Sequence, residues 1–359
     1  MATATATPKF PKTGVSFHGE LKKRIGDYFK QKGRATTGNY KLYIKAAVLV
    51  VAFVGLYTHL VFFTPPTVLA IVESMIFGCV IAAIGFNVMH DGAHGSFSKY
   101  KWINDLASNF ANFLGASQHM WKSKHNVIHH TYTNIHGVDD DIEARPLLRL
   151  SDEQDHYKIH KYQHFYFPAA YSLLYIWWIF VTDYKKYFSG KIGSIALRKM
   201  TTQEHLSFWF YKLSHAVLFV ALPIYTVGFT AWIIGFLSMG LVAGFVLSIV
   251  FQLAHTVEHT HFPLPESDGK MGDEWAIHQL KTTANFATRN KVISWFVGGL
   301  NFQIEHHLFP KISHVHYPQI SKIIKQACEE YGVQYVEYRK MSQAVVSHVA
   351  YLKQMAKAS

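Results

Sequence analysis

The stretch LYIKAAVLVVAFVGLYTHLVFFTPPTVLAIVESMIFGCVIAAIGFNVMHDGAH, residues 42–94, decides how the chain is read. Residues 42–63 are apolar; as a helix they reach roughly 33 Å, enough to cross the hydrocarbon core of a bilayer. Thr64, Pro65 and Pro66 break that helix, because proline has no N–H to give and clashes with the preceding turn. Residues 67–89 run back as a second span, through a turn that carries no charge. The run ends in HDGAH, so His90 and His94 stand just past the membrane edge. If the helix continues, this i,i+4 pair shares one face and suits one metal centre.

Residues 206–226 and 230–252 form two further spans, again joined by a short uncharged turn. A fifth apolar run, residues 165–182, raises a question of parity. It is followed by Lys185, Lys186, Lys191, Arg198 and Lys199 and preceded by Lys122, Lys124, Lys158 and Lys161. The positive-inside rule places both flanks on the cytoplasmic side. The run is therefore expected to lie in the membrane interface, as is the shorter and more polar segment 103–118. The expected fold is an all-α integral membrane protein with four transmembrane helices, interfacial helices and a cytoplasmic helical cap that carries the histidines. Both termini fall on the cytoplasmic side with them. Residues 1–41 read as a basic cytoplasmic segment, in which LKKRIGDYFKQ, from Leu21, is expected to form an amphipathic interfacial helix. Residues 42–340 read as the membrane domain and 341–359 as a C-terminal cytoplasmic helix. The first apolar run is span-length, so no cleavable signal peptide is expected.

Composition agrees. Half of the 359 residues are apolar and 16% are charged, against about 25% in soluble domains. The net charge is +12, and ten Lys or Arg fall between Lys9 and Lys45. No aromatic-basic repeat or zinc-finger spacing accompanies them, so they read as a juxtamembrane segment facing anionic lipid rather than as a nucleic-acid surface. The two cysteines, Cys79 and Cys328, are too few for a disulfide framework or a thiolate-held cluster.

The chain has 23 histidines, and the position of some of them is informative. HNVIHH supplies His125, His129 and His130, again an i,i+4 pair plus a neighbour. QIEHH supplies His306 and His307 after Gln303, and His255 lies just past the fourth span in FQLAHTVEH. A lone histidine is ordinarily a surface or core residue. Clusters at membrane boundaries, all on one side, point to metal ligation. About eight imidazoles exceed the four positions of one zinc and fit two centres. Imidazole serves iron, zinc, copper and nickel alike, so donor type leaves the metal open. A membrane metal transporter or sensor is the alternative from another class, but it predicts ligands at mid-bilayer. The spans are nearly free of acids, and Glu73 is an exception with no obvious partner.

HDGAH, HNVIHHTYTN and QIEHHLFP resemble the three histidine boxes of membrane fatty-acid desaturases. The intervals and four-span layout agree over roughly residues 40–340. A third box that opens with Gln303, where many desaturases have His, is similar to the front-end group. These enzymes place a double bond between an existing one and the carboxyl end. WKSKHNVIHHTYTN, DEWAIHQLKTTANFAT and GGLNFQIEHHLFPKISHVHYPQI look most like bacterial and cyanobacterial acyl-lipid or linoleoyl Δ6-desaturases. The resemblance implies an O2-dependent oxidoreductase with two iron ions held by His90, His94, His125, His129, His130, His255, His306 and His307. Gln303 occupies a family ligand position, His259 ranks below His255, and His314 and His316 stand close enough to support the third box. It implies a fatty-acyl lipid or acyl-CoA substrate and a cis double bond at Δ6 of a linoleoyl-type chain. A lipid hydroxylase on the same scaffold is the runner-up. Several family fusions carry an HPGG haem motif that this sequence lacks, so a separate ferredoxin or cytochrome b5-like donor is expected, docked by the basic surface.

An unactivated methylene is not acidic, so side-chain acids and bases cannot remove its hydrogens; iron with O2 can. Carboxylates near the boxes, Asp91, Asp139, Asp140, Asp141 and Glu305, are expected to orient metal-bound imidazoles through their second nitrogen. Trp102, Trp121, Trp275, Trp295 and Phe302 lie near the boxes as interfacial anchors or core. Trp177 and Trp178 fit an interfacial element near the substrate entrance.

Overall fold

The structure, a computed structural model, describes residues 7–11 and 16–357. Among these, four helices are long and apolar enough to cross a membrane: Tyr40–Phe63, Thr67–His94, Thr202–Val227 and Phe229–His255. They contain the four expected spans. The second and fourth run on past the apolar stretch, so that His90, His94 and His255 are carried on continuous helix. Val51, Val68, Leu213 and Tyr225 point outward and are well exposed. So much apolar surface on every span suits lipid and not water, and the chain is an integral membrane protein.

The second and fourth spans form the centre of the bundle. They touch at Gly78, where a Cβ would come within 2.3 Å of the Met239 carbonyl oxygen. Small residues let membrane helices approach closely enough for dispersion contacts to hold them together. Phe77, Ile81 and Ile84 of one span and Phe236, Met239 and Ala243 of the other share one core. At the end remote from the histidine boxes, Glu73 has a partner after all: His59 Nδ1 meets its carboxylate at 2.8 Å. The sequence hides this pair, because the two residues sit on different helices.

The fifth apolar run becomes two helices, Lys158–Ser172 and Leu174–Ser189, bent by 57°. Tyr171, Tyr175 and Ile179 are buried, while Phe165, Trp177 and Phe188 face outward. The segment expected as one helix over 103–118 is two, Lys101–Ser108 and Phe110–Phe113. They part at Asn109, whose side chain donates to the Tyr211 hydroxyl on the third span.

The remainder forms a cap over one end of the bundle. Its helices include Trp275–Thr282, Gln303–Leu308, Tyr317–Tyr331 and Met341–Met355. A two-residue parallel pairing joins Asn285–Phe286 to Glu337–Tyr338. The N-terminal helix, Phe17–Lys32, is amphipathic as expected, but its apolar face is covered by protein. Phe17, Leu21, Ile25 and Phe29 are buried against Leu308, Ile320 and Ile324 of the cap. An apolar stripe at helical spacing says that one face is covered, not what covers it. The C-terminal helix places Ala344 and Leu352 against Val250 and Leu253 of the fourth span. Its end is held by the buried Arg149, which donates to the Met355 and Lys357 carbonyls at 3.1 Å.

Candidate metal centre

Four elements deliver histidines to one buried place. The second span loosens into a π-helical turn over Gly85–Met89 and then closes one α-turn, His90–His94. Gly95, at φ 74°, stops it in the left-handed conformation that glycine adopts at no steric cost. The second box rides on continuous helix from Gln118, capped at its start by Ser117. The fourth span ends on His255, and the third box is the short helix Gln303–Leu308.

The i,i+4 histidines of the first box share one all-histidine group; those of the second box fall into different ones, although their ligand atoms also come together beside Asp141. Residues Ser123–His129 are π-helical, and the His130 amide bonds to the His125 carbonyl five residues back. A π turn widens the repeat and changes which side chains align. His125 Nε2 therefore meets His130 Nε2 at 3.3 Å. Metal-ligating atoms of His90, His94, His125 and His306 lie within 4.8 Å of one another, and those of His129, His255 and His307 form a second such group. His125 and His129, neighbours on one turn, thus belong to different groups, although their rings stack at 5.3 Å. His130 stands between the groups, its ring 4.6 Å from that of His306 and 4.4 Å from that of His307. A third grouping joins His125 and His129 to Asp141, whose Oδ1 pairs with Lys124 at 2.6 Å while its Oδ2 has no hydrogen-bond partner.

The outer nitrogens are tied to fixed partners. His129 Nδ1 donates to Asp139 at 2.9 Å, His307 Nδ1 to the Gln279 carbonyl at 2.8 Å, and His255 Nδ1 to the Thr282 carbonyl at 3.2 Å. His306 Nδ1 meets the Tyr317 hydroxyl at 3.1 Å. Tying Nδ1 in this way leaves the Nε2 lone pair free for a metal. Nε2 of His94, His129 and His306 is buried with no hydrogen-bond partner. Buried polar atoms are rarely left so; several orphaned lone pairs converging in all-nitrogen sets fit a metal ion. Nε2 of His255 and of His307 meets the Gln303 amide, at 3.0 and 3.4 Å.

Electrostatics favour neutral imidazoles at most positions. Burial, together with mutual repulsion, holds His125, His130, His306 and His307 well below the usual histidine range. His129 differs. Burial lowers its proton affinity too, but Asp139 and Asp141 outweigh this and raise it. The same carboxylates make that corner attractive to any cation.

Of the five carboxylates expected behind the imidazoles, only two approach an imidazole of the two groups. Asp139 bonds His129, and Asp141 lies 3.6 Å from the same nitrogen. Asp140 pairs with Lys186 at 2.8 Å. Asp91 faces His314 and Ser313, at 3.0 and 2.8 Å. Glu305 turns away from the histidines and accepts from Asn285 and Tyr335, both at 2.8 Å; burial pushes its pKa up to about 7. His316 donates to the Thr37 carbonyl, and His259 is exposed near the Tyr338 ring, outside both groups. Trp121 stacks on His125 at 4.4 Å, and the Trp275 indole donates to the His130 carbonyl at 3.1 Å. Trp102 is exposed, Trp295 faces Lys45, and Phe302 is core. Gln279, Thr282 and Tyr317 escape sequence reasoning, since a single amide, carbonyl or hydroxyl has no spacing signature.

Residues 66–339, which include all three boxes, match the fatty acid desaturase family. The sn-1 linoleoyl-lipid 6-desaturase of Arthrospira platensis is 34% identical over 99% of this chain and 96% of its own length. The protein of the same name from Synechocystis sp. is 35% identical over 96% of each chain. The acyl-lipid (8-3)-desaturase of Physcomitrium patens is 33% identical over 94% of this chain and 71% of its own. A membrane bundle, a buried double set of imidazoles and near-full-length similarity agree: the chain belongs to the fatty acid desaturase family.

Proposed function

We propose that the two histidine groups hold two iron ions and that the enzyme desaturates the fatty-acyl chains of membrane lipids at Δ6 of linoleoyl-type chains. The observation that carries this is the pair of adjacent, buried, all-nitrogen groups in which Nε2 of His94, His129 and His306 has no hydrogen-bond partner. One position takes His90, His94, His125 and His306, the other His129, His255 and His307, with His130 between them as the eighth imidazole. The Gln303 amide touches both His255 and His307 and closes the second position. The irons, with O2 as co-substrate, supply the oxidising power to take two vicinal hydrogens from unactivated methylenes.

The chain's own residues orient and enclose. Asp139, Gln279, Thr282 and Tyr317 fix the imidazole rings, and complete burial of His129, His255, His306 and His307 keeps bulk water from the site. The relatives from Arthrospira and Synechocystis, named for linoleoyl lipid and for position 6, support a glycerolipid-bound chain and a cis double bond on the carboxyl side of an existing one. Lysines and arginines on the histidine side of the spans support a cytoplasmic site and cytoplasmic termini. The net charge of +12 supports docking of an acidic ferredoxin or cytochrome b5-like donor.

Expression in a host with defined fatty acids, followed by acyl-chain analysis, tests this reading. A new cis double bond at C6 of linoleoyl lipid is the expected product; hydroxylated chains, or unchanged lipids in a host with a competent donor, overturn it. The support given by Asp139 is separately measurable. Asp139→Asn is expected to weaken iron retention against a chelator by about 10–100-fold while the protein stays folded.

A further inference from the structure

An ionisable side chain inside a membrane helix marks function by default, because it has to be paired to be tolerated there. Lys45 lies in the second turn of the first span and is 7% exposed. Its ammonium donates to Asn87 Oδ1 at 2.6 Å, to the Trp295 carbonyl at 3.2 Å and to His314 Nε2 at 2.9 Å. Lysine has no acceptor, so His314 accepts at Nε2 and carries its proton at Nδ1. That Nδ1 donates to Asp91 at 3.0 Å, and the Ser313 hydroxyl donates to the same carboxylate oxygen at 2.8 Å. The Asn87 amide continues to the Phe296 carbonyl at 2.8 Å.

One ammonium thus ties together three segments. Through Asn87 and Asp91 it holds the end of the second span, where Asp91 adjoins His90. Through Trp295 and Asn87 it holds the turn that leads into the third box. Through His314 it holds the start of the helix whose first residue, Tyr317, meets His306 Nδ1 at 3.1 Å. His90 and His306 are the pair this network brings together, with ring centroids 4.4 Å apart. Both belong to the group of His90, His94, His125 and His306. The other group is held by Asp139, Gln279 and Thr282, none of which bonds to Lys45, Asn87, His314 or Asp91.

We propose that Lys45 is a positioning residue for one metal position only, the one formed by His90, His94, His125 and His306. This rests on the two-iron reading. Without the ammonium, His314 loses the partner that fixes its tautomer, Asp91 keeps an uncompensated charge, and the first and third boxes lose their common anchor.

The test uses full-length protein in detergent, loaded with isotopically enriched iron and examined by metal analysis and Mössbauer spectroscopy. Lys45→Met is expected to hold iron about 10–100-fold more weakly at one position, with one iron signal lost or altered and the other kept. Lys45→Arg, which restores a cation, is expected to recover part of the lost signal. Gln279→Leu is expected to show the reverse pattern, losing the other signal. If Lys45→Met does not fold, His314→Gln carries the same expectation, since Lys45 then keeps Asn87 and the Trp295 carbonyl. Both signals unchanged, or both lost in parallel, in folded Lys45→Met or His314→Gln overturns the proposal. Wild-type protein that never holds two irons overturns the two-iron reading instead.

Discussion

His129→Ala is expected to leave purified protein with one iron position empty and desaturation at least about a thousandfold below wild type, roughly 4 kcal/mol of barrier. His129 is the hinge of the arrangement. It shares a group with His255 and His307, while its other nitrogen is anchored on Asp139. Alanine leaves that group with two imidazoles and the Gln303 amide, and takes from the buried Asp139 its imidazole partner, leaving it the Asn134 and Asp141 amides. Acyl-chain analysis in the expressing host and metal analysis of purified protein give the two readouts. His259→Ala is the control: its side chain is exposed and lies outside both groups, so iron and product are expected to match wild type. Undiminished product from His129→Ala would remove His129 from the ligand set.

The largest effect on stability is expected from Lys212→Met, at about 3–5 kcal/mol, the usual result of stranding one member of a buried pair. Lys212 lies on the third span with its ammonium 2.8 Å from Asp183, and both are nearly inaccessible. The same ammonium donates to the Gly115 and Ile179 carbonyls, at 2.7 and 3.0 Å. Asp183 in turn accepts from the Ser117 amide at 2.6 Å and the Trp178 indole at 3.1 Å. The pair therefore joins the third span, the bent helices and the residue that caps the second-box helix. Thermal unfolding in detergent should show a lower midpoint for Lys212→Met and a similar drop for Asp183→Leu. Lys212→Met with Asp183→Leu together should recover much of the loss, since two apolar groups of similar size leave no unpaired charge. A double variant as unstable as the sum of the singles would mean that the carbonyl and amide contacts, not the ion pair, carry the effect.

Much of this was legible in the chain before any contact was known, for a physical reason. Lipid offers no hydrogen bonds, so a span must be a helix of bilayer length, and length and hydropathy are local quantities. Residues 42–63, 67–89, 206–226 and 230–252 could be read off in this way, and the four helices contain them. The seven box histidines were legible because they recur in short clusters beside those spans, and the structure gathers them with His255 into one buried place.

Other readings depended on partners far along the chain. Lys45 reads as one of many juxtamembrane lysines, and only the fold shows it buried on Asn87 and His314. Glu73 reads as an acid without a partner until His59 is seen opposite it. The stripe of Phe17, Leu21, Ile25 and Phe29 suits lipid or protein equally, and the cap supplies the protein.

The sequence by itself determined the spans, the membrane class, the family resemblance and which histidines gather, because each depends on residue type and spacing over a few turns. Only the tertiary structure decided how they divide. His125 and His129 sit on the π-helical segment Ser123–His129 with stacked rings, yet they fall into different all-histidine groups. The division depends on what the second box packs against, and the third box and the fourth span, whose His306, His307 and His255 complete the groups, meet it only after the chain has folded.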